Sequence, residues 1–138
     1  MLFGFKRMFE TYVVEGSKTH TIRGRRKDDI RPKVGGRVDA YVDARQKTMR
    51  LLGRWPITKV EEIRIEDGGP GRLSVTIDGS ALDPHEAELL FHRDGFRNAS
   101  GETYGSMAQA RLFWADNLPF VGYLTHWDFN RPVTKGRS

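Results

Sequence analysis

The sequence predicts an α+β fold in which several short strands form a small barrel or a strongly bent sheet beside three helices. In segments 38–42 and 73–77, apolar residues alternate with polar ones, and each segment adjoins a glycine-containing turn. Alternation with a period of two is typical of a strand with one buried face. Further strands are predicted at 19–23, 49–55, 57–67 and 120–129, and the strand at 49–55 is expected to stop at Pro56.

A first helix is predicted near the start of the chain. Five apolar residues fall at the spacing of one helical face, and Gly16 follows where a C-terminal glycine would end the helix. The simplest role of this apolar stripe is to pack in the core. Its members are Phe5, Met8, Phe9, Tyr12 and Val13.

A second helix is predicted to begin after Asp83, an N-cap residue followed by Pro84 at the first helical position. Glu86 stands where the acidic partner of a capping box belongs. The pair Asp94–Gly95 is expected to end this helix. A third helix is predicted within 101–117.

Length and composition predict one globular domain over 1–138, with a loose tail at 128–138. The chain has no cysteine, which excludes disulfides and thiolate catalysis and makes a reducing cytoplasm the simplest location. It contains no apolar run long enough to span a bilayer, so no membrane association is expected. The formal net charge of +5 favours an anionic partner.

No metal ion or other cofactor is predicted. His85 and His92 lie two turns apart on the predicted second helix, which is too far for both to grip one ion. His20 and His126 lie on separate predicted strands and would meet only through the tertiary fold. No glycine-rich phosphate loop or serine-nucleophile motif is present.

The segment Lys18–Thr19–His20–Thr21–Ile22–Arg23 carries groups suited to acyl transfer. Strand alternation places Thr19, Thr21 and Arg23 on one face, with Lys18 at the preceding corner. A neutral lysine can take a proton from a threonine hydroxyl, and an arginine can stabilise developing negative charge. The alternative is structural, since threonines are common in strands and lysines in turns.

A basic run at 23–33, which includes Arg25 and Arg26, favours nucleic acid as a second kind of ligand. It is followed by Tyr41, Arg45 and Trp55, and cations interleaved with aromatic rings suit a groove for single-stranded RNA. The alternative is a solvated basic loop, with Tyr41 and Trp55 in the core.

The order of motifs resembles the ASCH domain, a member of the PUA-like superfamily. The resemblance runs from about Phe5 to Trp127. It rests on "EGSKTHTIR" after an amphipathic helix, a strand in "VGGRVDAYVDAR", then "HRDGF", a helix ending in "FW" and a closing "GYLTHW". It implies a compact, mostly antiparallel β-barrel flanked by helices, with the first motif in a cleft. PUA-like domains generally bind RNA.

The ASCH group includes an amidohydrolase branch, which acts on cytosine nucleosides acylated on the exocyclic nitrogen, and a branch reported to cut single-stranded RNA. The amidohydrolase motif is Lys-Thr-x-Thr-x-Arg with a downstream glutamate. The motif corresponds to Lys18, Thr19, Thr21 and Arg23, and the glutamate position corresponds to Asp94, whose side chain is one methylene shorter. Asp94 has an equally good alternative role as a turn former beside Gly95.

The resemblance therefore implies an amidohydrolase in which Thr21 is the nucleophile and Lys18 the general base. Asp94 would orient Lys18 and the leaving amine, while Thr19 and Arg23 would bind substrate. The alternative function is a single-stranded RNA binding module or an endoribonuclease, with contacts from Arg25, Arg26, Tyr41, Arg45 and Trp55. The expected partner is accordingly a small nucleoside or single-stranded RNA.

Overall fold

The structure is a computed structural model, and it describes residues 1–97 and 105–133. Its helices are a 3₁₀ turn at Arg7–Phe9 and the α-helices α1 (Glu10–Glu15), α2 (Pro84–Asp94) and α3 (Ser106–Trp114). Its strands are β1 (Leu2–Phe5), β2 (His20–Gly24), β3 (Arg37–Val42), β4 (Arg50–Asp67), β5 (Leu73–Ile77), β6 (Ser80–Ala81) and β7 (Phe120–Trp127).

The seven strands form one sheet in the order β1-β3-β4-β5-β6, and β7 pairs with both β2 and β4. The β1–β3 pair is parallel, whereas the β3–β4, β4–β5 and β5–β6 pairs are antiparallel. A mostly antiparallel sheet with helices confirms the predicted fold class. The prediction of a closed barrel is wrong for the described strands, whose pairings branch at the long strand β4 and do not close into a ring.

Residue contacts divide the chain into two units, each built from segments distant in sequence. The first unit contains the described residues of Met1–Thr21, Pro32–Val60 and Thr125–Ser138. The second contains those of Ile22–Arg31 and Glu61–Leu124. The strands β2, β4 and β7 each contribute residues to both units.

In the first unit, the predicted first helix is replaced in part by a strand. Residues Leu2–Phe5 pair in parallel with β3, which buries Phe3 and Phe5 in the core. Helical structure begins only at Arg7, and Met8 is 52 % exposed instead of lying on a buried face. The helix does end at Gly16, which has φ 85°. Pairing with a neighbouring strand outweighed the local helical spacing here.

Also in the first unit, the strand predicted to stop at Pro56 continues through it. The ladder with β3 resumes at Ile57, whose N–H donates to the Gly36 carbonyl at 2.8 Å. The Pro56 carbonyl accepts from the N–H of Asp128, the first residue after β7, at 3.1 Å. Because β7 ends just before Asp128, the N–H that Pro56 lacks is not needed for the β4–β7 ladder. The two predicted strands on either side of Pro56 are therefore the single strand β4.

The chain after β7 is anchored to the first unit as far as Val133. The Phe129 ring stacks on Trp55 with a centroid separation of 5.5 Å, and the Val133 N–H donates to the Arg54 carbonyl at 2.8 Å. The predicted loose tail is therefore wrong for 128–133. Residues 134–138 lie outside the described part of the chain.

In the second unit, the helix and hairpin signals of the sequence are confirmed. Asp83 and Glu86 form both hydrogen bonds of a capping box, and Gly95 ends α2 with φ 111°. The turn Asp78–Gly79 after β5 has positive φ at both residues, as a tight hairpin turn requires. The core includes Ile63, Ile65, Val75, Phe91, Phe96 and Trp114.

The α-helices are short, with 6, 11 and 9 residues in α1, α2 and α3. Among the described residues, none of the helices has the length and apolar character needed to cross a bilayer. The predicted third helix is present as α3, and the part of its predicted segment at 101–104 lies outside the described residues.

Candidate functional site

The corner before β2 holds Lys18 through backbone interactions in the first unit. Gly16 adopts the left-handed conformation, and the Lys18 N–H donates to the Tyr12 carbonyl at 2.9 Å. A Cβ on Gly16 would lie 2.6 Å from the Phe129 ring. A residue without a side chain is therefore required at this corner for two independent reasons.

The Lys18 side chain is buried among aromatic rings. Only 1 % of the residue is exposed, although lysine is among the residues least often buried. Its Nζ lies 5.0 Å from the centroid of the Phe9 ring and 5.7 Å from that of Phe5. Removal from water disfavours the charged form of an amine, whereas the face of an aromatic ring favours it. A general base needs charged and neutral forms that are close in free energy, and these two opposing effects act on that difference.

Thr21 lies on the strand face that alternation predicts for Thr19, Thr21 and Arg23, here called the motif face, and β7 pairs with β2. In the first unit the Trp127 N–H donates to the Thr19 carbonyl at 3.0 Å, and the His20 and His126 rings meet at 5.5 Å. These two contacts fix an antiparallel register in which residue 21 lies opposite residue 125. Thr21 is buried, with 4 % of its surface exposed.

The two histidines that the sequence placed on separate strands are thus brought together, on the face opposite the threonines. They make an edge-on ring pair between β2 and β7. In the described part of the chain, no group of three or more histidine, cysteine or acidic residues is arranged to hold a metal ion.

In the second unit, Arg23 and Asp94 form an electrostatic pair. Burial lowers the pKa of the Arg23 guanidinium, and the negative charge of the Asp94 carboxylate opposes that shift. Asp94 is the last residue of α2 and is only 4 % exposed. A turn-forming aspartate would be expected at the surface, so the burial of Asp94 favours a role beyond ending the helix.

The candidate RNA-binding residues have several environments. Arg25, Arg26 and Arg45 are exposed, and Tyr41 is half-buried in β3. Arg26 makes a two-pronged contact to Asp28, with an ion-pair distance of 2.8 Å. The pKa of the Asp28 carboxyl is lowered mainly by the hydrogen bond from the Ile30 N–H and, to a smaller extent, by the contact with Arg26.

Trp55 requires a correction. The residue is 5 % exposed, and its ring stacks on both Trp127 and Phe129. Both neighbouring rings are in the first unit, so Trp55 is a core residue and does not present a face on which a base could stack. A tryptophan in an alternating strand is compatible with either role, and only the packing distinguishes them.

The sequence did not identify Phe5 and Phe9 as neighbours of Lys18. It assigned these residues to the apolar core, which is correct, but an apolar stripe carries no information about a lysine that packs against it. Thr125 was also not singled out, because it has no unusual sequence context within the closing strand.

The second unit contains a cavity of about 430 Å³ near the N-terminal end of α3. Its lining includes Arg72, Glu88 and Met107, and the Met107 N–H donates to the Glu88 carboxylate. None of the sequence-predicted site residues lines it.

Comparisons with known proteins leave the family open. No family model matches the chain, and neither the curated proteins nor the solved structures contain a significant match.

Proposed function

We propose that this protein is an amidohydrolase of the ASCH type that removes the acyl group from cytosine nucleosides acylated on the exocyclic nitrogen. The observation that carries the proposal is the burial of Lys18, 1 % exposed among aromatic rings, at the corner leading to the buried Thr21. Withdrawing a lysine from water is unfavourable unless it is compensated, and such residues are frequent at functional sites. The match to Lys-Thr-x-Thr-x-Arg supplies the substrate class.

In the proposed reaction, the Thr21 Oγ attacks the acyl carbonyl carbon while Lys18 takes the hydroxyl proton. The electron pair of the C=O bond moves to oxygen and returns as the C–N bond breaks. Lys18 gives its proton to the departing cytosine amine. Water then hydrolyses the Thr21 ester, with Lys18 accepting the proton of the water and passing it back to the threonine oxygen.

The remaining motif residues bind and orient the substrate in this proposal. The match to the family motif assigns substrate binding to Thr19 and Arg23 and orientation of the leaving amine to Asp94. The charge interaction between Arg23 and Asp94 supports placing these two roles in one part of the second unit.

The test is turnover of N4-acetylcytidine to cytidine by the purified protein. Thr21→Val keeps the shape of the side chain but removes the nucleophile, so we expect turnover to fall to the background rate. Thr76→Val makes the same substitution in a half-buried position of β5 and should retain full turnover. Rapid quenching of the wild-type reaction followed by peptide mass analysis should find one acetyl group on Thr21, as the ester intermediate requires. Absence of turnover by the wild-type protein would contradict the proposal.

A second candidate function is binding of single-stranded RNA, and the exposed cations of the segment before β3 favour it. Arg25, Lys27 and Arg31 are all exposed. Binding through such residues would weaken steeply as salt increases, because each phosphate contact releases counterions. An affinity for oligonucleotide that does not change with salt would exclude this mode. Incubation of the RNA with and without divalent metal would distinguish a ribonuclease from a binding module.

A further inference from the structure

Two buried polar groups extend the motif face from β2 onto β7. Thr125 is fully buried, and its Oγ makes no hydrogen bond within the described part of the chain. Trp127 is 3 % exposed, and its Nε1–H is likewise without an acceptor among the described residues. Buried polar groups are normally hydrogen-bonded, because an unmade bond leaves the cost of desolvation uncompensated. Two such groups on one strand face therefore need an explanation.

The strand register places both groups next to the motif. Thr21 lies opposite Thr125, and Thr19 lies opposite Trp127, since the Trp127 N–H donates to the Thr19 carbonyl. Side chains of directly opposed residues in an antiparallel pair lie on the same face. All four residues belong to the first unit. The His20–His126 ring contact lies on the other face, as this register requires.

We propose that the Thr125 hydroxyl and the Trp127 indole N–H form a two-donor subsite for the carbonyl oxygens of the substrate. This inference rests on the proposed function and names substrate contacts that the motif does not include. Thr125, opposite the nucleophile Thr21, donates to the acyl oxygen as that oxygen becomes negative. Trp127, two residues further along β7 and on the same face, donates to the ring carbonyl of cytosine.

The surroundings of these donors suit this role. The Phe5 ring packs edge-on against Trp127 at 6.1 Å and also lies 5.7 Å from the Lys18 Nζ. It is therefore a neighbour of both the proposed donor and the proposed base. Oxygens bound beside this ring would lie in an environment of low polarity. Hydrogen bonds to developing charge are stronger in such an environment than in water.

The first experiment measures the kinetics and stability of Thr125→Val. We expect kcat for N4-acetylcytidine to fall about 100-fold, the usual effect of removing one oxyanion donor, with little change in KM. The free energy of unfolding should be unchanged or higher, because a methyl group replaces a hydroxyl that has no partner. Thr76→Val is the matched control and should retain kcat. A Thr125→Val protein that keeps its kcat, or that loses stability without losing kcat, would overturn the proposal.

The second experiment detects binding without chemistry. Cytidine, the reaction product, is titrated into labelled protein while the indole N–H resonances of the three tryptophans are recorded. Trp127→Phe identifies the resonance of Trp127. We expect that resonance to shift on binding and the Trp114 resonance to stay in place. Thr125→Val should bind cytidine as the wild-type protein does, because cytidine lacks the acyl oxygen that Thr125 contacts.

The two experiments separate the failure of the subsite from the failure of the enzymatic proposal. A shift of the Trp127 resonance in a protein that does not hydrolyse acetylcytidine supports the subsite and contradicts the enzyme. Hydrolysis with no effect of Thr125→Val and no shift of Trp127 contradicts the subsite alone. A protein that neither binds cytidine nor hydrolyses acetylcytidine contradicts both.

Discussion

Two cations of the same basic stretch of sequence, Lys18 and Arg26, have opposite environments. Lys18 is 1 % exposed beside Phe5 and Phe9, whereas the Arg26 side chain is 53 % exposed and pairs at the surface with Asp28. An exposed ion pair contributes little to stability, because water and salt screen it. A buried lysine is costly to desolvate and must be compensated by its surroundings. The difference shows that burial, rather than charge, separates a candidate catalytic group from an ordinary surface residue.

The largest expected effect comes from removing the buried amine. Lys18→Met keeps most of the side-chain volume, and we expect kcat/KM for N4-acetylcytidine to fall by about 10²–10⁴-fold, the typical contribution of a general base. Lys47→Met makes the same change at an exposed position of the first unit and should leave kcat/KM unchanged. Full activity of Lys18→Met would show that burial of this lysine has only a structural meaning.

The next effect concerns the corner that directs Lys18 inward. Gly16→Ala introduces a Cβ into the Phe129 ring at a residue with φ 85°, and we expect a loss of about 1–3 kcal/mol in the free energy of unfolding. Urea denaturation measures this loss. Gly35→Ala is the control, because φ is 90° there but no atom lies within 4 Å of the added Cβ. If both variants lose the same stability, the Phe129 contact makes no difference.

A smaller effect is expected at the surface ion pair between Arg7 and Asp43. Hydrogen bonds from Arg7 and Thr48, together with the nearby positive charge, lower the pKa of Asp43 from 3.8 to about 2. A depressed folded-state pKa gives stability that is complete above pH 3.8 and is lost as the pH falls towards 2. Asp43→Asn should therefore be slightly less stable than the wild-type protein at neutral pH.

The pH dependence provides the check on that prediction. Thermal unfolding of both proteins is followed from pH 7 downwards. The difference in Tm should narrow between about pH 4 and pH 2, because the wild-type carboxylate becomes protonated over that range. A difference that persists undiminished at low pH would mean that the carboxylate charge is not its source.

The smallest effect on stability is expected from a change at Arg26, the exposed cation. Arg26→Gln removes the surface pair with Asp28, and we expect thermal stability to stay close to that of the wild-type protein. An NMR titration should show the pKa of Asp28 rising only part of the way to its ordinary value. The Ile30 N–H, which is the larger cause of its depression, is retained. A pKa that returns fully to the ordinary value would contradict this ranking of causes.

Local signals in the sequence were sufficient for several elements. The capping box of Asp83 and Glu86, the helix end at Gly16 and the strand alternation at Val38, Ala40 and Val42 all predicted what the structure contains. Each of these signals acts through residues only a few positions apart. Contacts of that kind follow from backbone geometry and side-chain chemistry, which neighbouring residues determine together.

Long-range pairing caused the errors. The apolar spacing at Phe5 predicts a helix, but pairing with β3 makes Phe5 part of a strand. Pro56 predicts a strand end, but β7 ends beside it, so the N–H that proline lacks is not required for the ladder. Neither result can be obtained from a local window, because the decisive partners lie far away in the sequence.

The sequence by itself determined which chemical groups this protein has near the start of β2: a lysine, two threonines and an arginine in a fixed order. It also determined the glycine that turns the chain before them. Only the tertiary structure decided that Lys18 is withdrawn from water beside two aromatic rings, while Arg26 stays at the surface. Only the register of β7 against β2 set Thr125 opposite Thr21. The physical reason is that burial and cross-strand pairing depend on residues that meet only when the chain folds.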